Sequence, residues 1–197
     1  MIVKSRVEAF SDGVLAIVAT IMVLELVLPG GVAWGDFAAQ WPVLLAFVIS
    51  FFQIYINLYN HNKLFGKIEC VGRHVYLLNG LWLLFACFVP FTVHYLGHNP
   101  DATLPMLIYL GNLLLWAISF QILDITILHE NPKASKDEST TIITRIIYYV
   151  GLFIAGITAI FIPRISLFII LIVVAGEIIT TFFKATKTHD EAYPEGQ

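Results

Sequence analysis

Six stretches of the sequence stay apolar for about the 20 residues that a helix needs to cross a hydrocarbon layer of about 30 Å, with polar or turn-forming residues between them. They run from Val7 to Leu28, Phe37 to Asn60, Val75 to Leu96, Leu104 to Leu128, Ile142 to Ile162 and Ile165 to Phe183. Within hydrocarbon no water meets the backbone N–H and C=O groups, so segments of this length must satisfy themselves as helices. The expected fold is therefore all-α and integral to a membrane, with six transmembrane helices. Pro29-Gly30-Gly31 stops the first helix, and Trp41 with Pro42 suits an interfacial start for the second, whose window holds no charged residue. The turn-rich "GHNPDATLP" parts the third from the fourth, and Pro163 with Arg164 alone joins the fifth to the sixth, which makes that pair an antiparallel hairpin.

Composition excludes the main alternatives. The 197 residues are 58% hydrophobic and 13% charged, where soluble domains carry about 25% charged residues. A net charge of -3 with Lys and Arg in short scattered groups gives no basic face for nucleic acid. With the N-terminus inside, Lys4, Arg6, Lys63, Lys67, Arg73, Lys133, Lys136, Arg145, Lys184 and Lys187 all fall on the inner side and Arg164 alone on the outer. That bias predicts two cytoplasmic termini. Residues 1–187 then form the six-helix domain and residues 188–197 a polar cytoplasmic tail. The first window follows acidic residues and precedes no small-residue cleavage site, so it is expected as a retained helix rather than a signal peptide. No internal repeat relates the first three windows to the last three, so an inverted-repeat transporter gains no support.

Charged groups within the windows each need a partner, water or an interfacial position, because an unpaired one costs about 2.5–3.5 kcal/mol. Asp124 and Glu25 lie about a turn from window ends and are expected at the interface. Glu177 lies deeper; a structural pair, a protonated carboxyl and a proton relay all fit it. His94 and His98, four residues apart, share a helix face, but with no third ligand at helical spacing they are expected to make interfacial hydrogen bonds rather than hold a metal. Cys70 and Cys87 stand in no CxxC motif and read as small hydrophobes. No GxSxG, HExxH, P-loop or GxGxxG motif is present, so neither catalysis nor a cofactor is expected. "YYVGLF" at residues 148–153 lacks the Thr and second Gly of a TVGYG filter and lies within a continuous apolar helix.

Placed on a helix at about 100° per residue, the first window gathers Phe10, Gly13, Ile17, Thr20, Ile21, Leu24 and Leu28 on one stripe. Periodicity alone suits a lipid-facing or packing stripe as well as a pore lining. At the entrance stand Arg6, Glu8, Ser11 and Asp12. "RVEAFSD", residues 6–12, resembles the R-x-x-x-F-S-D signature that opens the first helix in the transmembrane-protein-175 family of potassium channels, whose prokaryotic members are short six-helix chains. "AIVATIMVLEL", "YNHNKLF" and "NGLWLLFACFVPF" extend the resemblance over roughly residues 4–95.

The resemblance implies a homotetramer in a prokaryotic plasma (inner) membrane, with four first helices around a potassium path that has no TVGYG filter. Monovalent cations and the bilayer are then its other partners. The family's constricting positions, five, nine and twelve residues after the signature Asp, fall here on Ile17, Ile21 and Leu24, and a polar position falls on Thr20. Gly13 and Leu28 complete the implied lining. Hydrophobic collars gate by dewetting, and a less strongly hydrated potassium ion loses less than sodium in passing them. The resemblance also implies that Arg6, Phe10, Ser11 and Asp12 anchor the first helix, with His61 and Asn79 as hydrogen-bonding partners; Leu58 stands where the family carries Trp three residues before that His. A proton-coupled secondary transporter, with Asp12, Asp124 and Glu177 as relay candidates, is the rival reading, and proton leak through the same path is another.

Overall fold

The computed structural model describes residues 2–26, 30–131 and 142–192. Six helices are long and apolar enough to cross a membrane. They are α1 (Lys4–Ile21), extended by a 3-10 turn (Met22–Glu25), α3 (Trp41–Phe65), α4 (Arg73–His98), α5 (Thr103–Glu130), α6 (Ile142–Phe161) and α7 (Pro163–Ala192). A short helix α2 (Trp34–Ala38) precedes α3. The extended pairs β1 (Ile2–Val3) and β2 (Cys70–Val71) run antiparallel, with Ile2 opposite Val71, and clasp the N-terminal end of α1 to the α3–α4 connection.

Three boundaries differ from the sequence expectation, two of them for a local reason. The first helix was expected to continue to Leu28, but its α-helical part ends at Ile21, tightens over Met22–Glu25 and is extended at Leu26. Pro29 disfavours helix in the residue before it, and a 3-10 turn is a common way for a helix to finish. Leu28 itself, like Lys133 and Lys136, lies outside the described residues. The second helix was expected from Phe37, yet Phe37 belongs to α2, and α3 begins at Trp41 with Pro42 in its first turn. A proline there lacks the N–H that helix continuation would need, whereas in a first turn that N–H has no partner to lose. At the other end of the chain, α7 runs past Phe183 through Lys184, Lys187 and Thr188 to Ala192.

In a bilayer there is no hydrophobic drive between helices, so close fit and polar contacts hold them. α4 packs most extensively with α5, and α6 with α7. On the α6–α7 hairpin the buried small residues Ala155 and Ala159 let the backbones approach, and Ser166 Oγ donates to the Ala155 carbonyl at 2.9 Å. Pro90 sits inside α4 and leaves the Ala86 carbonyl without its usual donor; one residue away, Asn112 of α5 donates to the Phe85 carbonyl at 3.2 Å. Trp82 and Trp116 are fully buried between α4 and α5, their rings 6.1 Å apart.

Candidate functional site: the first helix and its anchor

α1 has two distinct faces. Val7, Ser11, Leu15, Val18 and Met22 are buried, and α4 and α3 are the helices they meet. The opposite stripe is open: Phe10 is 65% exposed, Ile17 59%, Ile21 41% and Leu24 78%. Gly13 and Thr20 are exposed on the same side, and the Thr20 hydroxyl donates to the Ile17 carbonyl at 2.8 Å. Within the single chain, then, the apolar stripe is largely uncovered, Ile17 and Ile21 bordering an open groove beside Pro90 and Phe91 of α4. Leu24 belongs to it in space although it stands in the 3-10 turn rather than in the α-helix.

A polar relay fixes the buried face. Ser11 Oγ donates to the Val7 carbonyl at 2.9 Å, which spends its one proton. Its contact with Asn79 at 2.9 Å must therefore be donated by Asn79 Nδ2. That leaves Asn79 Oδ1 as acceptor toward His61 Nε2 at 2.8 Å, so His61 carries its proton on Nε2. The imidazole is clamped between Phe65 at 4.2 Å and Trp82 at 4.7 Å, nearly parallel to the latter at 6°. Three helices, α1, α3 and α4, thus meet through three buried side chains.

The other entrance residues do not join this relay. Arg6 is exposed on the edge of a groove with Phe10, Tyr76 and Asn79, and Asp12 is half-buried, its Oδ1 enclosed without a hydrogen-bond partner. Leu58 is partly buried, and the ring against His61 comes from Trp82 on α4 instead.

Three pairings went unseen in the sequence because each joins residues far apart in the chain. Glu25 Oε2 lies 2.8 Å from His94 Nδ1, which ties the 3-10 turn to α4 at the Arg164 end of the bundle. His98 packs on His94 at 4.3 Å and accepts no third ligand: among the described residues no group of three metal-ligating side chains forms. Asp124, about a turn from its window's end, is buried and paired with Arg145 of α6. The signal available was that both lie about a turn from the inner ends of consecutive windows. Arg164 pairs with Asp101 at 2.7 Å across the other end. Glu177 of α7 meets Gln53 of α3, whose Nε2 donates to Oε2 at 3.4 Å.

Six apolar spans with a first helix held by one face and bare on the other define a multi-pass membrane protein built on six helices. A sequence model described as the endosomal/lysosomal potassium channel TMEM175 matches residues 6–90. A potassium channel of Chryseobacterium sp. is 37% identical over 135 residues, 68% of this chain and 69% of that protein. The chain belongs to the TMEM175 family of potassium channels. The crystal structure of a lysosomal potassium-selective channel TMEM175 homologue from Chamaesiphon minutus superposes with a TM-score of 0.74 at 25% identity, covering 90% of this chain and 97% of that one. The human endosomal/lysosomal proton channel TMEM175 is 35% identical over 99 residues, 44% of this chain but 20% of the human protein.

Proposed function

We propose that the chain is one subunit of a homotetrameric potassium channel in a prokaryotic plasma membrane, with four α1 helices around the ion path and both termini, including the polar tail of residues 188–197, in the cytoplasm. The observation that carries this reading is the bare stripe of Ile17, Ile21 and Leu24 on a helix whose other face is locked into the subunit. A bare aliphatic stripe also suits lipid; what favours the path is that the potassium-channel family model matches residues 6–90, which include this helix. In the proposed assembly Ile17, Ile21 and Leu24 form stacked collars, with Thr20 between them and Gly13 a turn before the first; Leu28, outside the described residues, is assigned to the same lining. Permeation proceeds when the collars widen enough to wet. Potassium, holding its shell less tightly than sodium, passes with modest preference, and the Thr20 hydroxyl replaces part of the lost water.

The relay from Ser11 through Asn79 to His61 holds α1 at the angle that presents this stripe. Arg6, Phe10 and Asp12, which stay at the subunit surface, complete the anchor where neighbouring subunits meet. The test is ion flux from liposomes holding the purified protein under potassium, sodium and proton gradients. Passive current that prefers potassium supports the channel; saturable uptake coupled to another ion sinks it. Proton passage through the same path is the second reading, favoured by the name of the human relative. A secondary transporter calls for a broken helix near the midplane, whereas α3, α5, α6 and α7 are continuous through their described spans.

A further inference from the structure

Residues of α3, α5, α6 and α7 line a partly open cavity of about 70 Å³, away from the exposed face of α1. At roughly 10–15 Å³ of such volume per water it has room for about five waters. Polar side chains from all four helices line it. Tyr149 Oη donates to Gln121 Oε1 at 2.6 Å, Asn57 Nδ2 donates to the Gln53 carbonyl at 2.9 Å, and Gln53 Nε2 donates to Glu177 Oε2 at 3.4 Å. These donors are spent on the wall itself. The acceptors are not: Gln53 Oε1 is enclosed without a partner on a side chain that is 5% exposed, and among the described residues the Glu177 carboxylate receives that single long hydrogen bond. Glu177 and Arg145 are the charged residues of the wall. Arg145 is taken by Asp124, so its positive charge is answered elsewhere, and among the described residues the cavity wall offers the Glu177 carboxylate no other cationic side chain.

A charge left so inside a membrane is expensive, and an orphaned amide oxygen beside it adds to the cost. Both costs vanish if a cation sits between them. Oxygen ligands suit hard ions, but a divalent ion asks for several carboxylates or a fixed shell of six or more oxygens, and here one carboxylate is available. We propose that this cavity is an accessory site for a small monovalent cation of potassium-like size, held by the Glu177 carboxylate and Gln53 Oε1 and completed by water. The site lies within one subunit, so it stands whether or not α1 lines the conduction path.

Anomalous diffraction from crystals of the full-length protein, with rubidium replacing potassium, tests it. The expected result is a rubidium peak in each subunit in contact with Glu177 and Gln53, and its loss in Glu177→Gln crystals. A cavity without a peak in the wild-type protein overturns the proposal, and so does a peak that survives Glu177→Gln. Should that variant fail to fold, the wild-type map decides alone. Peaks on the central axis report on the conduction path only, so the two readings fail separately.

Discussion

His61 Nε2 lies 2.8 Å from Asn79 Oδ1, the last link of a relay in which the single proton of Ser11 sets every donor direction. Ser11→Ala leaves Asn79 Nδ2 enclosed with no acceptor, and Asn79→Leu leaves the His61 N–H so. Each is expected to cost about 1–2 kcal/mol of stability. Because the links act in series, the double variant should be no less stable than Asn79→Leu alone, a non-additivity expected of one network. Thermal unfolding in detergent measures it, and two fully additive losses would show that the contacts are independent.

Asp12 presents a different case, since its Oδ1 is enclosed yet has no partner inside the subunit. The residue as a whole is only half-buried; if its exposed side meets a neighbouring subunit, Asp12→Ala should lower the yield of tetramer while leaving the monomer helical by circular dichroism. Light scattering on the detergent-solubilised particle separates the two. Unchanged assembly with altered conduction would place Asp12 in the ion path instead.

The fold was legible wherever one residue property repeated for long enough. Twenty apolar residues admit one solution in hydrocarbon, and the six spans fell close to the observed helices apart from the entry at Phe37, the exit near Leu28 and the polar extension of α7 beyond Phe183 to Ala192. The first two were missed because prolines at 42 and 29 override the hydropathy around them. The stripe on α1 was legible for the same reason, periodicity along one helix, though nothing in periodicity says what covers it. The contacts that fix charges were not legible: Glu25 with His94 and Asp124 with Arg145 join different helices. Helix order alone does not say which faces meet.

The pair of Asp124 and Arg145 should be the most sensitive of these. Asp124 is 8% exposed and Arg145 22%, so removing one partner strands the other where water reaches it poorly. Arg145→Met is expected to cost about 3 kcal/mol, enough to lower expression sharply. Joining it with Asp124→Leu should recover most of that loss, because a well-packed apolar pair is often as good as a buried ion pair. A double-mutant cycle on thermal stability checks this, and a double variant worse than either single one would mean that the pair does more than neutralise charge.

Glu25 and His94 predict the opposite balance, a small global effect with a large local one. His94 is 48% exposed, so Glu25→Gln should change stability by less than about 1 kcal/mol. The pair nevertheless ties the 3-10 turn to α4, and without it Met22–Leu26 should exchange amide hydrogens faster while Val7–Val18 keep their protection. Hydrogen exchange read by mass spectrometry resolves the two segments. Equal acceleration in both would show that α1 opens as one unit.

Ile17 carries the proposed function most directly, because it stands in the middle of the bare stripe, 59% exposed, one turn before Ile21. In a tetramer built around α1, Ile17→Asn replaces four aliphatic groups facing one axis with four amides. Water then stays in the constriction and the dewetting barrier falls, so resting leak should rise. An ion that keeps more of its shell also loses less on entry, which removes the advantage of potassium over sodium. A tenfold loss of preference moves the reversal potential by about 59 mV per monovalent ion, well within reach of recordings from reconstituted bilayers. Ile17 lies on the face away from Val18 and Leu15, so the subunit itself should fold as before. A variant that assembles normally and keeps both leak and reversal potential unchanged would move the ion path off this stripe and leave Ile17 facing lipid.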